Sequence, residues 1–366
     1  MNILYVSAKK NWGGVASWMV RTAESLEERG HTVHIVSAKN SLFTKRAPKS
    51  LRIHPWSFGF DYNPATILYL VYMIKKHKID LMVTNIEKEI AVGGIAAKLC
   101  GIPNIRRVGR HDDFNDKKSK IRFRHETFVT DSIAPCAAIW EEAKEHSPWL
   151  ENYPFTVIYN GRDPQYFTEE ERQKIRAGWG IDDDTVVIGT TTRLADEKRV
   201  DLILDAYAKA RDEFTAPAFL VISGTGKNLA ALQQQADDLG ISDTLLFAGF
   251  TETPLLSASG YDITLAVADN EGFPNTVVEY MSVGRPVIST DVGGVKEIIQ
   301  EPLNGLLIQP GDREGLSEKM IMLVNDTELR SSMAENAKKT VAERFSQQEM
   351  IDRLEAFFHK KLEKVQ

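Results

Sequence analysis

The 366-residue chain predicts an α/β protein of two doubly wound domains, and three observations carry that expectation. Short apolar runs alternate with amphipathic helical stretches, the pattern of parallel strands joined by crossover helices. The alternation occurs twice, once on each side of a stretch at 152–175 that holds Pro154, Gly161 and Pro164. The chain is 43% hydrophobic, too long for one ordinary core and long enough for two.

In the first half, "NILYVSA" (2–8) reads as a strand, "KKNWGG" (9–14) as a loop, "VASWMVRTAESLEERG" (15–30) as an amphipathic helix ended by Gly30, and "HTVHIVSA" (31–38) as the next strand. A helix at 64–78, a strand at 79–85, a helix at 89–101 and "IPNIRRVG" (102–109) follow. The second half repeats the theme. Strands are expected in "TVVIGTTTRL" (185–194), "AFLVISGTG" (218–226), "TLLFAGF" (244–250), "DITLAVA" (262–268) and "RPVIST" (285–290). Helices are expected at 200–214, 228–240, 276–284 and from about Val295. A new helix after Pro164 sets the domains at 1–165 and 166–345. The remaining 346–366 forms a strongly amphipathic helix with no strand after it, expected to pack back across the domains as a strut. Doubly wound sheets bind ligands at the carboxyl ends of their strands, so two in tandem imply a cleft between them.

Composition removes several classes of function. The opening "MNILYVSAKK" enters a strand directly, with its lysines after the apolar run, so no secretory leader is expected. The longest apolar run, "ILYLVYMI" at 67–74, falls far short of the roughly 20 residues that span a bilayer. Two cysteines, Cys100 and Cys136, fit a reducing compartment, and a cytoplasmic location follows. The net charge of −6 is unevenly spread: residues 1–165 hold 24 Lys and Arg against 17 Asp and Glu, a net of +7, which leaves −13 for the rest. Part of the basic excess lies in "KKSKIRFRHE" (117–126), suited to an anionic substrate or to peripheral contact with an anionic membrane at its inner face; a solvated loop is the plainer alternative. An acidic chain with no nucleic-acid motif excludes DNA and RNA as expected partners.

A nicotinamide enzyme is disfavoured by the first turn, which lacks G-x-G-x-x-G, and by Ser37 and Ala38 where an acid should meet the ribose. The second half is more specific. "ISGTG" closes a strand with Gly224 and Gly226, which permit a close approach by a ligand. "TTRLADEK" places Arg193 and Lys198 after another strand, two cations suited to a pyrophosphate. "DNEGFPNTVVEYM" sets Gly272, Phe273 and Pro274 in a tight turn, and the N–H groups of Asn275, Thr276 and Val277 at the following helix start are expected to be free for an anion. Glu271 and Glu279 flank that anion site. Each acid alone is an ordinary surface residue.

Together these stretches resemble the retaining, nucleotide-sugar-dependent glycosyltransferases of family 4, also called glycosyl transferases group 1. That family has the GT-B fold, two Rossmann-like domains facing across an interdomain cleft. The resemblance covers essentially the whole chain. It is most specific at Glu271 and Glu279, a glutamate pair separated by seven residues, and is supported by Arg193 with Lys198, "VIYNGRDPQYF", "VISTDVGGVKEII" and "NGLLIQPGD". The resemblance implies that Glu279 binds the donor's ribose, that Glu271 contacts the transferred sugar, and that Asn275 and Thr276 meet the diphosphate. Phe273 and Pro274 shape that donor site, and Gly224 and Gly226 border it. Arg193 and Lys198 then stabilise the leaving diphosphate in place of a metal, so neither an essential metal nor a cofactor is expected. "DDD" at 182–184 reads as a solvated loop. "NWGGV" resembles the family's glycine loop, in which Gly13 and Gly14 approach donor phosphate and acceptor. His111 in "RVGRHDDF" matches the family's active-site histidine, with Asp112 or Asp113 to orient it or to assist the acceptor. Two departures weaken the assignment of base and sugar: Arg199 follows Lys198 where glycine is common, and Thr225 lies between the glycines where an acid is frequent.

The implied reaction moves a sugar, with retention, from a UDP-sugar, or next a GDP-sugar, to a hydroxyl of a glycan or lipid-linked acceptor of the cell envelope. Two rivals differ in class: a nucleotide-sugar epimerase of similar architecture, and a catalytically silent donor-binding scaffold. A glycan phosphorylase needs a pyridoxal-binding lysine that the sequence does not identify.

Overall fold

A computed structural model describes residues 1–114 and 119–363, apart from the side chains of His111 and Asp112. The chain divides into two compact units, Met1–Asn160 together with the segment from Gln348, and Gly161–Gln347. The division falls between Asn160 and Gly161, within the 152–175 stretch. At Gly161 a Cβ would come 2.3 Å from the Ser346 carbonyl oxygen, so the segments on either side of the second unit pass in close backbone contact there.

The first unit is a seven-stranded parallel sheet of β1 (Asn2–Ser7), β2 (Thr32–Ala38), β3 (Arg52–Trp56), β4 (Leu81–Thr84), β5 (Asn104–Arg107), β6 (Asp131–Ala134) and β7 (Phe155–Val157), in the order β3-β2-β1-β4-β5-β6-β7. Along β1 the side chains alternate between two apolar layers. Ile3 and Tyr5 pack with the helix Gly14–Glu28, and Leu4 and Val6 with the helix Pro64–Lys76. Burial on both faces is why β1 reads as a continuous apolar run. The helix Gln347–Glu363 completes the first layer with Met350, Ile351, Leu354, Phe357 and Phe358. Each such burial contributes roughly 1.5–3 kcal/mol. Arg29 pairs with Asp352 and Glu355 at 2.7 Å, His31 meets Glu355 at 2.7 Å, and Lys361 pairs with Asp131. The C-terminal segment is therefore part of the first unit's core.

The second unit is a six-stranded parallel sheet of β8 (Val186–Thr191), β9 (Ala218–Ser223), β10 (Leu245–Gly249), β11 (Ile263–Ala266), β12 (Val287–Thr290) and β13 (Leu306–Ile308), in the order β10-β9-β8-β11-β12-β13. Its core gathers Ile188, Leu220, Ile222, Ile263 and Leu265 with the helices Val200–Ala210 and Arg313–Asn325. In both sheets the order reverses at a defined place, between β1 and β4 and between β8 and β11, where the following loops diverge and leave a crevice. Among the described residues no helix is long and apolar enough to cross a membrane.

Four strands escape the reading from sequence: β3, β6, β7 and β13. Each has only three to five residues. β6 carries Asp131 and Ser132, both buried. So short a mixed segment has no period of its own and becomes a strand by pairing with a neighbour, β6 with β5 and β7.

Candidate functional site

At the reversal point of the second sheet, the loop after β8 carries Lys198 and the loop after β11 carries Glu271. Their side chains form a part-buried ion pair. Lys198 ends a single 3-10 turn, Asp196–Lys198. The two loops are tied directly, because Asp269 N–H donates to the Glu197 carbonyl at 3.0 Å and Arg199 pairs with Asp269 at 3.0 Å. Arg199 sits at φ 40°, in the left-handed region that explains glycine as the common residue there. Its guanidinium also binds Asp201 at 3.1 Å, so here an arginine adopts the strained conformation and uses its side chain to join the loops.

Lys198, Glu271, Pro274 and Thr276 line one small cavity with Thr190, Thr191 and Thr192 from the end of β8. It holds about 20 Å³, about the room of one water molecule. Two buried tyrosines support it. The Tyr280 hydroxyl accepts the Thr191 N–H at 2.6 Å, and the Tyr261 hydroxyl meets Ser223 at 2.8 Å and Thr191 at 3.1 Å. Burial raises the pKa of both phenols, so they remain neutral donors. Gly189 makes room for the Tyr261 ring, which a Cβ would meet at 2.2 Å.

The helix Asn275–Ser282 begins against the Pro274 turn. Here one expectation needs correction. The Asn275 N–H donates to the Phe273 carbonyl at 2.9 Å and the Val277 N–H to the Pro274 carbonyl at 3.0 Å, so neither is free. The bend at Pro274 turns both carbonyls into the first helical turn. Phe273 is buried, its ring 6.4 Å from that of Phe345. Glu279, one turn along, forms an ion pair with Arg162. Arg162 is in turn held by its N–H, which donates to the Phe345 carbonyl at 2.7 Å. Arg162 is not among the residues expected at the site, although it lies in "NGRD", where a cation beside a glycine is the available signal.

Arg193 lies apart from these groups. Its side chain is 73% exposed and pairs with Glu197 at 2.9 Å, while Lys198 alone meets Glu271. Gly224, at φ 150°, and Gly226 serve the packing of two loops: a Cβ on Gly224 would come 1.8 Å from the Thr192 carbonyl oxygen, and one on Gly226 2.1 Å from that of Leu194. Likewise Gly293 faces the Glu271 carbonyl, and Gly294 N–H donates to that of Gly272 at 2.9 Å. The turn that carries Glu271 is thus supported from "DVGG". Asp182, Asp183 and Asp184 are exposed.

In the first unit, Gly13 and Gly14 are exposed at the start of the helix Gly14–Glu28, and a Cβ on Gly13 would meet nothing within 4 Å. With Ser7, Lys9, Lys10 and Trp12 they border a cavity of about 420 Å³. Buried Glu89 ties together the segments that follow β1 and β4: it accepts the Ala8 and Asn85 N–H groups at 2.7 Å each and that of Ile86 at 3.2 Å. Burial raises its pKa against the pull of those donors. His111 begins a 3-10 turn, His111–Phe114, after β5; its side chain, like that of Asp112, lies outside the described residues. Asp113 anchors that turn by accepting the Gly109 and Arg110 N–H groups at 3.1 and 3.2 Å. Arg106 stacks on Phe114, its guanidinium carbon 4.5 Å from the ring centroid, and donates to the Asp113 carbonyl at 3.0 Å. Of the basic stretch, residues 117 and 118 lie outside the described part. Arg124 is buried against Asp61 at 2.6 Å, and Arg122 pairs with Glu126 at 2.8 Å. Lys120 and Phe123 remain exposed.

Comparison with known proteins bears on this geometry. Residues 171–340 match the family model described as Glycosyl transferases group 1, and residues 12–166 the model described as Glycosyltransferase Family 4. Over 208 residues the chain is 28% identical to N-acetyl-alpha-D-glucosaminyl L-malate synthase of Bacillus anthracis, a match that covers 57% of this chain and 54% of that one. The chain thus spans about half the length of that relative. Over 361 residues it is 25% identical to an uncharacterised glycosyltransferase of Methanocaldococcus jannaschii, with 91% of each chain covered. Its fold is similar to that of Anabaena Alr3699/HepE, solved in complex with UDP, at a TM-score of 0.86 and 20% identity over 98% of this chain and 100% of that one. The likeness shows the GT-B fold.

Proposed function

We propose, from the premise that this chain belongs to the family 4, group 1 glycosyltransferases, that it moves a hexosyl group from a UDP-sugar to a hydroxyl of a glycan or lipid-linked acceptor, with retention and without an essential metal. The observation that carries this reading is the Lys198–Glu271 ion pair beside the helix Asn275–Ser282, with Glu279 one turn further on. Lys198 lines one cavity with Pro274 and Thr276 at the helix start and takes the diphosphate. Glu271, released from that pair, accepts hydrogen bonds from hydroxyls of the transferred sugar, and Glu279 accepts from the ribose. The UDP bound to HepE supports uridine over guanosine as the donor base.

In the proposed chemistry the acceptor oxygen forms a bond to the anomeric carbon on the face from which the diphosphate leaves. The anomeric C–O bond breaks with its electron pair on the diphosphate, and the acceptor's proton passes to a diphosphate oxygen. Lys198 and Arg193 stabilise the charge that grows there, the role a divalent ion fills in other transferases. The family resemblance assigns Gly13 and Gly14 to the donor phosphate and the acceptor and His111 to the transferred sugar, and the proposal carries those assignments with it.

Relatives named for lipopolysaccharide core biosynthesis and for Vi polysaccharide biosynthesis support a place in cell-envelope polysaccharide synthesis, which this reading sets at the cytoplasmic side. Peripheral membrane contact rests on Lys120 and Phe123; stronger co-sedimentation with anionic than with neutral vesicles supports it, and equal sedimentation counts against it. The donor assignment is tested by thermal shift with UDP, GDP, ADP and CMP and their sugars, with EDTA present. A shift with UDP and its sugars in EDTA is expected. A shift only after Mg²⁺ is added rejects metal independence, and no shift from folded protein favours a silent scaffold.

A further inference from the structure

Three of the chain's eight histidines converge at the edge of the first unit's sheet, from segments separated by about twenty residues each. His34 lies in β2, His54 in the edge strand β3, and His77 caps the helix Pro64–Lys76. The ring centroids are 4.0 Å apart for His34 and His77, 5.3 Å for His34 and His54, and 5.6 Å for His54 and His77. His34 Nδ1 and His54 Nε2 are already 3.0 Å apart, and one nitrogen from each ring lies within 4.8 Å of the others. None of the three belongs to the groups assigned to donor or acceptor.

We propose that His34, His54 and His77 form a binding site for a divalent transition-metal ion of the zinc class. Tetrahedral coordination with Zn–N bonds near 2.0–2.1 Å separates ligand nitrogens by about 3.3 Å. The His34–His54 pair already has nearly that spacing, and a ring nitrogen of His77 lies within 4.8 Å of both, so that side chain must shift by roughly 1.5 Å or less to complete the set. His34 is buried while His54 and His77 are partly exposed, so the cluster has a dry side and an open side where water supplies the fourth ligand. Three imidazoles suit Zn²⁺, Cu²⁺ and Ni²⁺ and disfavour Mg²⁺ and Ca²⁺, which require oxygen.

The surroundings keep the rings neutral and their lone pairs available. Burial, then the neighbouring imidazoles and Arg52, push the His34 pKa down to about 4, and those of His54 and His77 are lowered by burial and nearby cations. The cations facing the cluster are Arg52 and Lys76. Arg52 pairs with Glu27, and Lys76 lies over the Tyr72 ring, 5.2 Å from its centroid. A metal here would join an edge strand to its neighbour and to the end of a crossover helix, fixing the part of the sheet with one free edge.

The other grouping among the described residues, His31 with Glu355 and His359, is the natural control, because Glu355 is already engaged by Arg29 and His31. The full chain, stripped with chelator and dialysed, is titrated with Zn²⁺ by calorimetry and with Co²⁺ by visible absorption. One equivalent is expected, with a tetrahedral Co²⁺ band and a Tm raised by Zn²⁺. His77→Ala and His54→Asn, both at the open rim, should each weaken Zn²⁺ binding at least tenfold with the far-ultraviolet circular dichroism unchanged, and His359→Ala should bind as the parent does. Absence of binding, binding undiminished in folded His77→Ala, or loss in His359→Ala instead overturns the proposal.

Discussion

Arg162 closes on Glu279, so the acid assigned to the donor's ribose is met by a cation from the segment that opens the second unit. Arg162 is fixed by its own N–H on the Phe345 carbonyl, and the close passage at Gly161 fixes the backbone just before it. Glu279 is therefore oriented from outside its helix. Arg162 acts as a positioning residue.

Arg162→Ala should raise the KM for the donor about tenfold, which corresponds to about 1.4 kcal/mol, with kcat changed much less. Arg162→Lys should recover only part of this, because a lysine cannot present the planar fork. Steady-state kinetics with the donor varied would show it; a pure fall in kcat speaks against positioning.

Lys198→Ala should lower kcat by about 10²–10³, the scale for losing one preorganised electrostatic group in a transfer reaction. Its ion pair with Glu271 is only part-buried, so Tm should move little. Arg193→Ala should lower kcat by a smaller factor, since that exposed side chain reaches the diphosphate only by leaving Glu197. Unchanged turnover in Lys198→Ala would falsify the proposed mechanism.

Gly224→Ala and Gly13→Ala should separate folding from function. The first places a Cβ 1.8 Å from the Thr192 carbonyl oxygen at φ 150°, and should cost about 2 kcal/mol or more of stability, read as a lower denaturation midpoint. The second meets no neighbouring atom, so the fold should stand while transfer falls, if Gly13 lies against substrate as proposed. A Gly13→Ala protein with full activity removes Gly13 from the site.

The C-terminal helix should respond to acid through Glu355. Hydrogen bonds from Arg29, then His31, hold its carboxyl below the ordinary carboxylate range. A depressed carboxylate adds stability above its unfolded pKa, near 4.5, and loses it as the pH falls through the folded value. Glu355→Gln should lower the urea midpoint at pH 6.5 by about 1 kcal/mol in stability, and the gap from the parent should close as the pH falls below about 4.5. A gap of the same size at both ends of that range rules the mechanism out.

Much of the fold was legible because burial on both sides of a parallel sheet leaves unbroken apolar runs, as in "ILYV" of β1 and "VVIG" of β8. The glutamate spacing and Lys198 were legible for a related reason: loops at a sheet's reversal point are local in sequence. β6 was not, since Asp131 is buried there through Lys361, a residue more than two hundred positions away. Nor was the engagement of the Asn275 and Val277 N–H groups, which depends on how Pro274 bends the chain.

The sequence by itself determined two parallel α/β sheets, the family, which loops carry Lys198 and Glu271, and which helix carries Glu279, because periodicity and short-range motifs are written along the chain. Only the tertiary structure decided that Arg162 meets Glu279, that Gly224 and Gly226 make room for neighbouring carbonyls, that the final helix completes the first unit's core, and that His34, His54 and His77 converge. Each of those is a contact between segments far apart in the chain, chosen by packing and charge pairing after the strands have found their order.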